Sequence, residues 1–139
     1  MAIKTLTIQT KTSHRTDIID IGPQVNKALS ATPGREGFVH LFVPGSTAAL
    51  TTIEYEEGVV RDLQHAIERL APENITYEHD RRWGDGNGYA HVRAALLGPS
   101  LTIPLSNGRM LLGTWQQIVL CDFDNRPRTR DITVQIHTD

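Results

Sequence analysis

The stretch Leu101-Thr-Ile-Pro-Leu-Ser-Asn-Gly-Arg-Met-Leu-Leu112 decides the architecture. Leu101, Ile103 and Leu105 recur at the strand period of two, which makes one face of the segment apolar. Asn107-Gly108 is the residue pair that best tolerates two successive positive φ angles, and Met110 to Leu112 runs back as the second arm of a hairpin. Downstream, Gln117 to Phe123 reads as a buried strand, and Ile132, Val134 and Ile136 alternate to the end of the chain. The last third is therefore all β.

Working upstream, Phe38-Val-His-Leu-Phe-Val43 is short and almost wholly apolar, the pattern of a strand buried on both faces. Residues 47 to 53 read as another strand after the turn Pro44-Gly-Ser46. Residues 55 to 70 read as an amphipathic helix with Val59, Val60, Leu63, Ile67 and Leu70 on one face, closed by Pro72. Ile75 to Glu78 reads as a short strand, His79 to Gly88 as a charged, glycine-rich loop, and Tyr89 to Leu97 as a helix stopped by Gly98-Pro99. At the start, Ile3, Leu6 and Ile8 mark a strand, with Asp17 to Ile21 as its hairpin partner across the polar turn Lys11 to Thr16. Gly22-Pro23 opens a short helix carrying Val25, Ala28 and Leu29. Strands outnumber the three helices and are mostly joined by hairpins. The pattern predicts one α+β domain over residues 1–139, with antiparallel or mixed sheets and the helices set to one side.

The chain of 139 residues, 39% hydrophobic and 22% charged, is long enough to bury a core without staples. A net charge of −2 gives no electrostatic case for nucleic acid. No run of about 18 apolar residues is present to span a membrane. The N-terminal residues alternate instead of forming an export signal, and the single cysteine, Cys121, excludes an internal disulfide. The expected compartment is the cytoplasm.

Six histidines, twice the count of tyrosine or phenylalanine, are the compositional anomaly, because histidine titrates near neutrality and is the commonest metal ligand. His40 lies between Phe38 and Phe42 on one face of its strand. It is either a core histidine satisfied by a hydrogen bond or a functional one. His79 and His91 flank Gly84-Asp-Gly-Asn-Gly88. That loop is either a flexible connection or an anion cradle, formed by the amides of Gly86, Asn87 and Gly88 with the following helix N-terminus. It matches neither a dinucleotide fingerprint nor an EF-hand, although Asp85 and Asn87 offer isolated oxygen ligands. Ser46 and Thr47 either bond locally within a turn or bind phosphate. Glu54 complements a helix dipole or serves as a general base. Arg126, Arg128 and Arg130 alternate, as a phosphate-binding face or as a strand neutralised by Asp122, Asp124 and Asp131. His14, His65 and His137 read as solvent or rim positions, and Met110, Trp83 and Trp115 as packing residues, with Trp83 also placed to cover a site.

Three stretches together resemble the YjbQ family, whose members are named secondary thiamine-phosphate synthase. They are Gly98 to Gln116, Val39 to Pro44 followed by Thr47 to Thr51, and His79-Asp80 followed by Ala90-His91; the resemblance runs from about residue 5 to the C-terminus. It implies a β-rich α+β sandwich assembled as a homotrimer. It also implies a pocket in which His40, His79 and His91 hold a divalent metal, zinc rather than magnesium, with His40, Glu54 and His91 as catalytic groups and no organic cofactor. Phosphate binding then falls to Ser46, Thr47, Gly86, Asn87, Gly88, Arg126 and Arg128. The implied reaction joins an aminopyrimidine diphosphate to a thiazole phosphate and expels pyrophosphate. Many members carry a histidine where Gly45 stands here, and Asp-Asp-Met-Pro where this chain reads Asp85-Gly-Asn-Gly88. The alternative is therefore a non-catalytic protein that binds a small phosphorylated metabolite.

Overall fold

A computed structural model describes residues 1–13 and 15–139, so the expectation for His14 lies outside the described residues. The elements in chain order are β1 (Ala2–Lys11), β2 (Asp17–Asp20), α1 (Gly22–Ser30), β3 (Gly37–Phe42), β4 (Ala48–Ile53), α2 (Glu57–Leu70), α3 (Glu78–Trp83), α4 (Gly88–Leu97), β5 (Ser100–Ser106), β6 (Arg109–Met110), β7 (Gln117–Asp122) and β8 (Thr129–Thr138). A five-stranded sheet has the order β1-β8-β3-β5-β6, a three-stranded sheet the order β2-β7-β4, and every pairing is antiparallel. The fold is α+β, as the hairpin pattern implies.

Alternation builds the layers. Val39, Leu41, Ile103, Ile132, Val134 and Ile136 of the large sheet meet Leu50, Ile118 and Leu120 of the small one, and α1 adds Val25 and Leu29. The opposite side chains of β7, Val119 and Cys121, join Ile18, Ala49 and Phe123 beneath α2 and α4, which contribute Ile67, Tyr89, Ala90 and Ala94. Strand β7 is thus buried on both faces and anchors both cores. The Asn107-Gly108 turn adopts φ of 53° and 74°, the paired positive angles that a two-residue hairpin with native twist requires. No helix among the described residues is long and apolar enough to cross a membrane.

Several expectations are corrected. Strand β2 pairs with β7, not β1, because β1 is fully engaged with β8 from Ala2↔Thr138 to Lys11↔Thr129. Strand β3 is buried on one face only: Val39 and Leu41 are fully buried, whereas Phe42 on the outer face is 41% exposed. No strand forms over residues 75–78, and α3 is a fourth helix. Glu78 and Asp80 in its first turn, Arg81 and Arg82 in its last, and a left-handed Gly84 at its end all suit a short helix. The carboxylate that caps α2 is Glu56, which accepts from Gly58 N at 2.6 Å and Val59 N at 3.1 Å. Leu70, Trp83 and Trp115 are exposed and do not pack in the core.

Candidate functional site

At one end of the sandwich the β7–β8 connection meets the β3–β4 turn. Asp122 shares the inward parity of Ile118 and Leu120, and Arg130 that of Ile132 and Val134, so the two meet between the sheets. Arg130 Nε donates to Asp122 Oδ2 at 2.9 Å and Nη2 to Oδ1 at 3.1 Å. Nη2 also donates to Thr47 Oγ1 at 2.7 Å, and that hydroxyl donates to Asp124 Oδ2 at 3.2 Å. Arg128 Nε closes on the same Asp124 oxygen at 2.7 Å. Burial alone would raise the Asp124 carboxyl; the Arg128 guanidinium, the Asn125 amide and the Thr47 hydroxyl outweigh it and hold the group below the ordinary aspartate value. Arg128, Arg130 and Thr47 are consequently spent on internal partners. Arg126 is exposed and has no ion pair among the described residues.

Above this network lie α3 and α4. The rings of His79 on α3 and His91 on α4 are 4.3 Å apart between centroids, tilted by 49°. His79 Nε2 lies 3.6 Å from Asp85 Oδ2. Among the described residues neither His79 Nε2 nor Asn87 Oδ1 has a hydrogen-bond partner, although both atoms are buried. Helix α4 is fixed by Arg93, whose fully buried guanidinium donates to Ala71 O and Thr16 Oγ1, each at 2.9 Å, and to Glu68. The loop before α4 is tied down as well. Asn125 Nδ2 donates to Asp85 O at 3.0 Å, and Gly88 N to Asp80 Oδ1 at 2.9 Å. Asp80 therefore already supplies a negative charge at the α4 N-terminus.

Two cavities lie at this end of the fold. One, of about 350 Å³, is lined by Asp85, Asn87, Asp124, Asn125, Arg126 and Arg128. The other, of about 220 Å³, has a more apolar wall that includes Ser46, His91, Ala94, Ala95 and Pro99. His79 and Thr47 connect the two linings, His79 through Asp85 and His91, Thr47 through Asp124 and its neighbour Ser46. Gly45 also lines the second cavity; its φ of 121° is one that side chains rarely adopt, and a Cβ there would stand 3.3 Å from Arg130 Nη1. Clefts of about 420 Å³ beside α1 are larger but hold no histidine or carboxylate.

The structure thus gathers His79, His91, Ser46, Thr47, Asn87, Arg126 and Arg128 around one end of the fold, with Gly86 and Gly88 in the loop that borders it. Two expected residues stand elsewhere. His40 projects from the outer face of the large sheet, where Nδ1 is 2.8 Å from Thr102 Oγ1, with both sheets between it and α4. Glu54 is exposed beyond the far end of β4, roughly 20 Å along the strand from Thr47. His65 is exposed, and His137 stacks on Phe38 at 4.4 Å on the outer face of the large sheet. Among the described residues no three His, Cys, Asp or Glu side chains are placed to hold one metal ion together, so the three-histidine set does not assemble within the chain. Asn125 escaped the sequence reading, which had no signal that a lone amide would latch the glycine loop.

The YjbQ-like UPF0047 family matches residues 5–139. A UPF0047 protein of Archaeoglobus fulgidus is 41% identical over 125 residues, covering 90% of this chain and 94% of that protein. A hypothetical protein from Aeropyrum pernix superposes with a TM-score of 0.91 at 29% identity, over 98% of this chain and 99% of that one. An uncharacterised conserved protein of the yjbq/UPF0047 family from Clostridium acetobutylicum superposes with a TM-score of 0.84 at 34% identity, covering 93% of this chain and 97% of its own.

Proposed function

The chain belongs to the UPF0047 family of YjbQ-like proteins, and we propose that its paired cavities bind two small phosphorylated metabolites for a transfer of the thiamine-phosphate synthase kind. The carrying observation is that the linings of the two cavities are linked through His79, which lies 3.6 Å from Asp85 of the first and packs against His91 of the second. A two-substrate transfer needs two adjoining volumes and donors aimed at the group that departs. In the proposed reaction the pyrimidine methylene carbon forms a bond to the thiazole nitrogen, and its C–O bond to diphosphate breaks. Pyrophosphate leaves with the electron pair, and the ring nitrogen becomes cationic. Arg126 and the histidines are the groups available to meet the charge on that leaving group. Gly45 leaves the turn narrow, so the second cavity extends to the backbone.

A second reading, binding without turnover, has its own support: Arg128, Arg130 and Thr47 are engaged by Asp122 and Asp124, and at the first cavity Arg126 is the cation with no ion pair among the described residues. Incubating the purified protein with both substrates and measuring thiamine phosphate by mass spectrometry separates the two. Product that disappears in His91→Ala supports transfer. Binding of either phosphate without product supports the second reading. We also propose self-association as a homotrimer, which would cover exposed apolar groups such as Ile3 and Phe42 on the large sheet, and a cytoplasmic location, which suits a lone buried thiol at Cys121.

A further inference from the structure

We propose that the smaller cavity seats the flat, uncharged ring of its ligand, a nitrogen heterocycle, and that Arg130 Nη1 donates to an acceptor atom of that ring beside Gly45. The inference rests on the reading of this cavity as a substrate volume, and it gives that volume a ligand class and a donor.

The donor comes first. Arg130 is 8% exposed, and its internal bonds use Nε and Nη2 alone: both reach Asp122, and Nη2 also reaches Thr47 Oγ1. A guanidinium carries N–H donors on each of its nitrogens, and those of Nη1 have no acceptor among the described residues. An unused donor on a side chain taken out of water is costly, and a ligand acceptor is what would satisfy it. Its place is fixed by Gly45. That glycine lines the smaller cavity, and a Cβ on it would stand 3.3 Å from Nη1. The nitrogen therefore lies directly behind the turn, where a side chain at position 45 would crowd it. The φ of 121° at Gly45 holds the turn in a conformation that keeps the position bare.

The surroundings set the class of ligand. Arg130 is matched by Asp122 and Arg128 by Asp124, so this wall offers a donor without net charge. Such a wall suits a ring nitrogen or a carbonyl better than a phosphate, which is served by Arg126 at the other cavity. The remaining wall is short and apolar, built from Ala48, Ala94, Ala95 and Pro99, with the His91 ring beside them. An apolar slot with one oriented polar group is the usual construction of a site for a flat heterocycle. A site built to hydrogen-bond its ligand also rejects the isostere that lacks the acceptor. Arg130 is thus a binding residue as well as the partner of Asp122, and Gly45 is the position that sets access to it.

The test uses the intact chain and two rings of the same shape, pyrimidine and benzene, which differ in ring acceptors. Each is titrated while the backbone amide signals of Gly45, Ser46 and His91 are followed by proton–nitrogen NMR. The expected result is saturable shifts at these amides, with pyrimidine bound about tenfold more tightly than benzene. Arg130→Lys keeps the charge and lacks Nη1, and is expected to bring the two affinities together; a general loosening of the fold would weaken both rings alike. Ala95→Leu alters an exposed position of α4 that lines the cavity, and is expected to lower the affinity of both rings about tenfold or more. Circular dichroism confirms the fold of each variant, and the Ala95→Leu arm stands if Arg130→Lys fails to fold. Absence of saturable pyrimidine binding overturns the proposal. So does equal affinity for benzene in the parent chain, unchanged pyrimidine affinity in Ala95→Leu, or displacement of pyrimidine from these amides by inorganic phosphate. Pyrophosphate titration of the same protein reports on phosphate binding separately, so failure of the ring assignment is distinguishable from failure of the proposed function.

Discussion

Arg130 of β8 and Asp122 of β7 form a two-bond ion pair across the two sheets, with Nε–Oδ2 at 2.9 Å and Nη2–Oδ1 at 3.1 Å. The Asp122 side chain is wholly buried and that of Arg130 is 10% exposed. Each charge has been taken out of water and depends on the other. The pair ends the apolar core and begins the polar floor of the site, through the shared contact of Arg130 with Thr47.

Removing one partner strands the other. Arg130→Met is expected to destabilise the fold by about 3–5 kcal/mol in urea denaturation, because Asp122 keeps its burial and loses its cation. Arg130→Lys restores charge without the planar fork and should recover only part of that loss.

Asp124 should govern part of the acid limb of stability. Its carboxyl lies below the ordinary value in the folded chain, so it binds a proton less readily folded than unfolded. The sign follows: its stabilisation is fully present above the unfolded aspartate value of about 3.9 and is lost as pH falls toward the folded value. Stability measured against pH should therefore fall less steeply below about pH 5 in Asp124→Asn than in the parent chain.

Arg126 and Arg128 are neighbours in sequence and opposites in role. Arg126→Ala should leave stability within about 0.5 kcal/mol, as an exposed residue with no ion pair among the described residues, and weaken pyrophosphate binding about tenfold. Arg128→Ala should instead cost about 1–3 kcal/mol of stability, because it leaves the buried Asp124 carboxylate short of its main partner. Denaturation and calorimetry on the same two variants check both halves.

Self-association has a simple readout. Light scattering on the eluting protein is expected to give a mass near three times 15.5 kDa, and a value at 15.5 kDa would remove the trimer.

The parts of the fold read correctly were those encoded by local pattern. Alternation at Leu101, Ile103 and Leu105 with the Asn107-Gly108 turn marks a hairpin wherever it sits, and the all-apolar face of β7 marks burial. Errors came where a partner far along the chain decided the outcome. Strand β2 looked like the return of β1 because the two are adjacent in sequence, yet β8, more than a hundred residues away, takes the whole length of β1. Helix α3 was missed because six residues carry too little periodicity to announce a helix. The outward placement of His40 was illegible for a related reason: Phe38 and Phe42 look like core residues, and no local signal distinguishes a buried apolar face from one left on the outside of a sheet. The Asp122 to Arg130 network was visible as alternating opposite charges, but its burial followed only from the meeting of two sheets.

The central claim, that this end of the sandwich binds phosphorylated small molecules, is tested most directly by calorimetric titration of the chain with inorganic pyrophosphate. Saturable binding is predicted, weakened about tenfold by Arg126→Ala and by His91→Ala and unaffected by His40→Ala. Absence of binding, or binding lost in His40→Ala and intact in the other two, would contradict it.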